Sequence, residues 1–152
     1  MKLILLGAPG AGKLDAAWAL AQAFLCEQDG CGSCDSCVRV ARHTHPDVHY
    51  YTPESATGYL IAQTRELLDD VPLAPIRAKA KVYIIDRAEQ LRANTANALL
   101  KTLEEPPEHV LFILATTEKH KIIPTILSRC QIYDFNRIRV EDSVEYLKYI
   151  AS

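Results

Sequence analysis

At 152 residues, with 49% hydrophobic and 24% charged side chains, the chain can bury one core and lacks the charge excess of a disordered segment. Seventeen basic against nineteen acidic residues leave a formal charge of −2, which excludes a global attraction to nucleic acid or anionic membrane, so any DNA contact must be local. The apolar opening KLILLGAPG is too short for a membrane span and carries no cleavage site; a cytoplasmic protein is expected, its five cysteines metal ligands or free thiols rather than disulfides.

KLILL is a short unbroken apolar run ended by glycine, which suits a strand buried on both faces of a parallel sheet. Lys13–Phe24 then repeats apolar residues at helical spacing, with Ala16, Leu20, Ala23 and Phe24 on the expected inner face and Trp18 set against a neighbouring element. After the cysteines, DVHYY predicts a second strand and Tyr59–Asp70 a second amphipathic helix, while prolines make PLAPIRAKA a loop. KVYIID and VLFILATT are the strongest strands. Between them Ala88–Leu103 is expected to be one helix, with Ala96, Leu99, Leu100 and Leu103 inward, stopped by EEPP. Such alternation argues for a parallel sheet with helices on both faces. The polar strand endings at Gly7, Asp86, Thr116 and Thr117 should then gather at the carboxyl edge, where open α/β sheets bind ligands.

GAPGAGKL, residues Gly7 to Leu14, has the form of a phosphate-binding loop except in its last letter. Gly7, Gly10 and Gly12 would let backbone N–H groups turn toward phosphate oxygens, and Lys13 would neutralise the outer phosphates. Leu14 replaces the hydroxyl that holds magnesium. After the metal-directing Asp86, Arg87 stands where an active enzyme of this kind places a water-activating glutamate. Glu89 falls inside the next expected helix, where a surface role is the simpler reading. Weak ATP or ADP binding without hydrolysis follows.

Cys26, Cys31, Cys34 and Cys37, spaced C-x₄-C-x₂-C-x₂-C, offer four thiolates on a turn-rich stretch, the pattern of a closed structural Zn²⁺ site. Free thiols are the alternative, and His43, His45 and His49 read as solvated loop residues able in principle to replace a ligand.

The succession GAPGAGK, CGSCDSC, THPDVH, NALLKTLEEPP, FILATTE and ILSRCQ resembles the nucleotide-binding domain of bacterial DNA polymerase III clamp-loader subunits, which are AAA+ proteins. The likeness runs along nearly the whole chain, and ILSRC following LEEPP is a highly specific pairing. Up to about Pro107 it is nearer the delta-prime subunit, and from Val110 onward nearer gamma/tau. The interval from Cys26 to Cys31 is shorter than the family's usual one.

The resemblance implies an α/β P-loop AAA+ core over residues 1–138, with a parallel five-stranded sheet and a zinc-binding insertion at 26–37, and the start of a helical lid over 139–152. It implies a non-hydrolysing scaffold of the delta-prime type, in which Arg129 of the Ser128-Arg129-Cys130 motif reaches the ATP of an adjacent subunit. Thr117 matches the region that senses the terminal phosphate. Implied partners are the gamma/tau and delta subunits and the sliding clamp, with primed DNA met through the complex and no membrane. The placement of Met1 and the last residues implies an isolated core domain, without the family's preceding adenine-gripping segment or its collar. Two other readings stay open: an active ATPase of the gamma/tau type or a small-molecule phosphotransferase, against which Leu14 and Arg87 speak, and a zinc-stabilised nucleic-acid-binding module. Local patches for the last would come from Arg39, Arg42, Arg77, Lys79 and Lys81.

Overall fold

Three uninterrupted apolar runs become the inner strands of one sheet. The computed structural model describes residues 1–135, so the expected lid over 139–152 and the end of the core lie outside the described residues. In chain order the elements are β1 (Lys2–Gly7), α1 (Lys13–Leu25), α2 (Asp35–Ala41), β2 (Val48–Tyr51), α3 (Ile61–Asp70), β3 (Lys81–Ile85), α4 (Ala93–Glu104), β4 (Val110–Thr116), α5 (Pro124–Leu127) and β5 (Gln131–Phe135). Short 3₁₀ turns at Ala88–Gln90 and Lys119–Lys121 precede α4 and α5.

The strands are all parallel, in the order β2-β3-β4-β1-β5. Alternate residues of β1, β3 and β4 enter two separate cores, so no side of these strands can be polar. Leu3, Leu5, Val82, Ile84, Leu111 and Ile113 meet Ala17, Ala21 and Leu25 of α1 and Val40 of α2. On the other face Ile4, Tyr83, Phe112 and Leu114 meet Leu67 of α3, Leu99 and Leu103 of α4, and Ile126 of α5.

Two helices differ from the sequence expectation. The buried face of α1 is Lys13, Ala17, Ala21 and Leu25, and Leu20 is exposed. The helix begins directly at the loop lysine, whose inward position fixes the rotation of everything after it, and small alanines let α1 lie close on the sheet. Trp18 stacks on the His43 ring with centroids 3.8 Å apart. The expected single helix from Ala88 to Leu103 is broken, because Leu91 and Arg92 are extended and the helix restarts at Ala93. Helix α3 starts two residues later than expected, since the buried Gln63 side chain accepts the Leu60 N–H at 2.9 Å and donates to the Thr52 carbonyl at 2.7 Å.

Two of the histidines expected to be solvated are not. His45 is buried, its Nδ1 accepting the Asp47 N–H at 3.0 Å, and His49 Nε2 lies 3.2 Å from the Asp70 carboxylate while its ring stacks on Tyr83. Lys81 is buried too, with Nζ 2.9 Å from Asp70 Oδ2. Arg39 and Arg77 both pair with Asp35, at 2.9 and 2.8 Å. Three of the five cations available for a nucleic-acid patch are thus engaged within the domain.

Candidate functional site

The carboxyl edge of the sheet gathers the expected endings. Leu6 pairs with Thr116 and Ile85 with Leu114, so the loop at Gly7, the end of β4 and Asp86 are neighbours along one edge. A Cβ at Gly7 would lie 2.8 Å from the Phe135 carbonyl oxygen, so the close approach of β5 requires glycine there. Gly10 and Gly12 adopt φ of 79° and 94°, the left-handed region that the loop's turn needs. Lys13 is buried and donates to the loop's own carbonyls, Gly7 O at 2.7 Å and Ala8 O at 2.9 Å. Leu14 packs against the core beneath α1.

Asp86 has both oxygens engaged. Tyr50 OH donates to Oδ2 at 3.0 Å and the Arg87 N–H to Oδ1 at 2.9 Å. Burial, reinforced by the Asp86 carboxylate, holds the Tyr50 phenol above its ordinary range. Arg87 itself is exposed, with a φ of 49°.

Glu89 is not a surface residue of a helix. It sits in the 3₁₀ turn, and the Thr116 hydroxyl donates to its Oε2 at 2.8 Å while accepting the Glu118 N–H at 3.1 Å. The threonine held inward at the end of β4 is therefore Thr116, whereas Thr117 is exposed. Only the break at Leu91 and Arg92 brings Glu89 to Thr116. The polar run EQLRANT, whose only large apolar residue is Leu91, was the available signal of a break.

The four cysteines converge, Cys26 included despite its short interval. Their Sγ atoms all lie within 4.8 Å of one another, with Cys26–Cys34 at 3.8 Å and Cys31–Cys37 at 3.9 Å, so together they could hold a metal ion. Cys26 caps the end of α1, Gly30 and Gly32 turn the chain around Cys31 with φ of 98° and 81°, and Cys34 caps the start of α2. Backbone N–H groups point at sulfur: Gln28 and Cys31 toward Cys26, Cys34 toward Cys31, Cys37 toward Cys34, all at 3.3–3.4 Å. Such donors favour thiolate. The N–H groups of Ser33 and Cys34 bring the Cys31 thiol down to about 6, and those of Cys31 and Gln28 lower Cys26. Burial pushes Cys37 up to about 12. None of the three histidines is in the cluster.

Arg129 lies at the opposite edge. It follows α5 and comes two residues before Gln131, which pairs with Leu3, whereas the loop glycine Gly7 pairs with Phe135. Four strand residues separate the two pairs, about 13 Å along the sheet at the usual rise. Arg129 Nη2 meets Glu104 Oε1 at 2.7 Å, and Nη1 donates to the Thr125 carbonyl at 2.9 Å.

The family description "DNA polymerase III, delta subunit" matches residues 2–139. The chain belongs to that clamp-loader family. It is 46% identical over 136 residues to the DNA polymerase III subunit tau of Bacillus subtilis, covering 87% of this chain and 24% of the relative. It is 38% identical over 136 residues to the delta' subunit of the same organism, covering 88% of this chain and 41% of that one. Among solved structures, a gamma subunit-related protein of Thermotoga maritima superposes with a TM-score of 0.63 at 22% identity, covering 93% of this chain and 42% of that chain. A point mutant of RuvB from the same organism superposes with 0.64 at 17% identity, covering 99% and 43%. These two share the chain's fold. The chain spans less than half the length of these clamp-loader relatives. Among the described residues, no helix is long and apolar enough to cross a membrane.

Proposed function

We propose that this chain is the AAA+ core of a delta-prime-type, non-hydrolysing subunit of the DNA polymerase III clamp loader, and that Arg129 serves the nucleotide of a neighbouring subunit. The observation that carries this reading is the position of Arg129 across the sheet from its own phosphate loop. A guanidinium there cannot bind phosphates held at Gly7–Lys13, and its planar charge suits a phosphoryl group presented from outside. Leu14 and Arg87 support the non-hydrolysing half of the proposal, since neither can bind magnesium or activate water. The partners would be gamma/tau and delta subunits and the sliding clamp, in the cytoplasm, with primed DNA reached through the complex. Thr117 would retain at most a vestigial sensing role.

Cys26, Cys31, Cys34 and Cys37 would hold one Zn²⁺ in a closed tetrahedral shell. Sulfurs on a regular tetrahedron with Zn–S bonds of ~2.3 Å stand ~3.8 Å apart, which the Cys26–Cys34 and Cys31–Cys37 distances of 3.8 and 3.9 Å match. With all four positions taken by protein, such an ion supplies cross-linking rather than catalysis. The cysteines themselves tie the end of α1 to the start of α2.

ATP turnover tests the reading. The chain alone is expected to bind nucleotide weakly and to hydrolyse none above background. Steady turnover that disappears with Lys13→Ala would instead make it a gamma/tau-type ATPase, the alternative that its 46% identity to a tau subunit favours.

A further inference from the structure

Arg129 is held before any neighbour arrives. Its Nη2 is 2.7 Å from Glu104 Oε1, while Nη1 is 2.9 Å from the Thr125 carbonyl and 3.4 Å from Ser128 Oγ. Thr125 and Ser128 belong to its own local turn, but Glu104 comes from another element. It is the last residue of α4, whose Leu99 and Leu103 are fully buried and whose Leu103 carbonyl accepts Lys2 Nζ at 2.7 Å. The carboxylate is thus presented from an anchored backbone. Both side chains remain partly exposed, at 33% for Arg129 and 44% for Glu104, so a partner can reach them.

An ion pair this exposed adds little to folding. Its consequence for orientation is larger. A free arginine carries side-chain conformational entropy that must be lost when the guanidinium is fixed on a phosphate. Contacts to Glu104, Thr125 and Ser128 engage three of the guanidinium's five N–H groups and so restrain its orientation. The same logic governs carboxylates that orient a catalytic histidine without touching substrate.

We propose that Glu104 is a positioning residue for Arg129, setting the guanidinium in the orientation that meets the neighbour's nucleotide. This rests on the reading of Arg129 as acting in trans. Because the effect is on orientation in the transition state, removing Glu104 should lower the partner's kcat and leave its KM for ATP in place.

The test uses a clamp loader assembled around a subunit that carries this chain. Glu104→Ala should lower the partner's kcat about fivefold, the upper range for a partly exposed pair. Glu104→Gln keeps an acceptor oxygen and should recover most of that rate. Glu104→Asp keeps charge and fold but draws the carboxylate back by one methylene; it should lose part of the rate and decides the matter where the alanine variant does not assemble. In an Arg129→Ala background, none of these changes should have any effect. Unchanged or raised turnover in Glu104→Ala and Glu104→Asp, with Arg129→Ala silent, overturns the positioning role alone. Full turnover in Arg129→Ala overturns the in-trans reading beneath it.

Discussion

Asp47 is wholly buried, and its carboxylate accepts the backbone N–H groups of Ile76, Arg77 and Ala78 at 2.6, 2.7 and 2.7 Å. Burial alone would raise this carboxyl, but the three donors outweigh it and hold it below the usual carboxylate range. A depressed carboxyl contributes stability that is full above its unfolded value and is lost as pH falls through the folded one. Asp47→Ala should therefore cost roughly 3 kcal/mol at neutral pH, since three donors lose a charged acceptor. Urea titration checks this, and the difference from the parent chain should shrink below about pH 4 as the parent carboxyl takes up its proton. At Gly7 the cause is steric. An added Cβ meets both the Phe135 carbonyl oxygen at 2.8 Å and its Cβ at 2.9 Å, atoms of a paired strand that cannot swing away. Gly7→Ala should lower stability by about 1–3 kcal/mol, read as a shift in urea midpoint without a change in slope.

The cysteine turn joins α1 to α2. Protein purified without chelator should carry about one equivalent of zinc, and Cys34→Ser should release it and lower the helical circular dichroism of α2. Elemental analysis that finds no metal would leave the four cysteines as free thiols. This element was legible in the sequence because thiol spacing survives any uncertainty about helix rotation. The strands were legible for a similar reason: an apolar run buried on both faces needs no phase. The inner face of α4 at Ala96, Leu99 and Leu103 was legible too; the rotation of α1 was not, since it follows Lys13 folding under the loop, a tertiary fact that no hydrophobic stripe records. The same lies behind Glu89, whose contact with Thr116 depends on the extended residues Leu91 and Arg92 that cut the expected helix short. His49 looked like a loop residue because its partners, Asp70 and Tyr83, lie far along the chain from the loop's own polarity pattern.

At the scale of the whole domain, parallel strands place different residues on the two edges. The carboxyl edge carries the glycine loop, Asp86 and Thr116, while the amino edge carries Arg129 with Glu104 beside it. Topology rather than any one residue makes this division, because β5 runs parallel to β1 and the turn before it must lie at the far end of the sheet. On the proposed reading, such a subunit would bind nucleotide on one side and serve a neighbour from the other, so that a loss of hydrolysis in cis would leave a role in trans available. The measurement that tests this most directly is ATP hydrolysis by a gamma-type partner in an assembled ring, with Arg129→Ala introduced in this subunit alone. Intact assembly is expected, with a loss at the shared interface of about a thousandfold or more, the scale of an arginine supplied in trans. Undiminished partner hydrolysis in a fully assembled ring would contradict the in-trans reading.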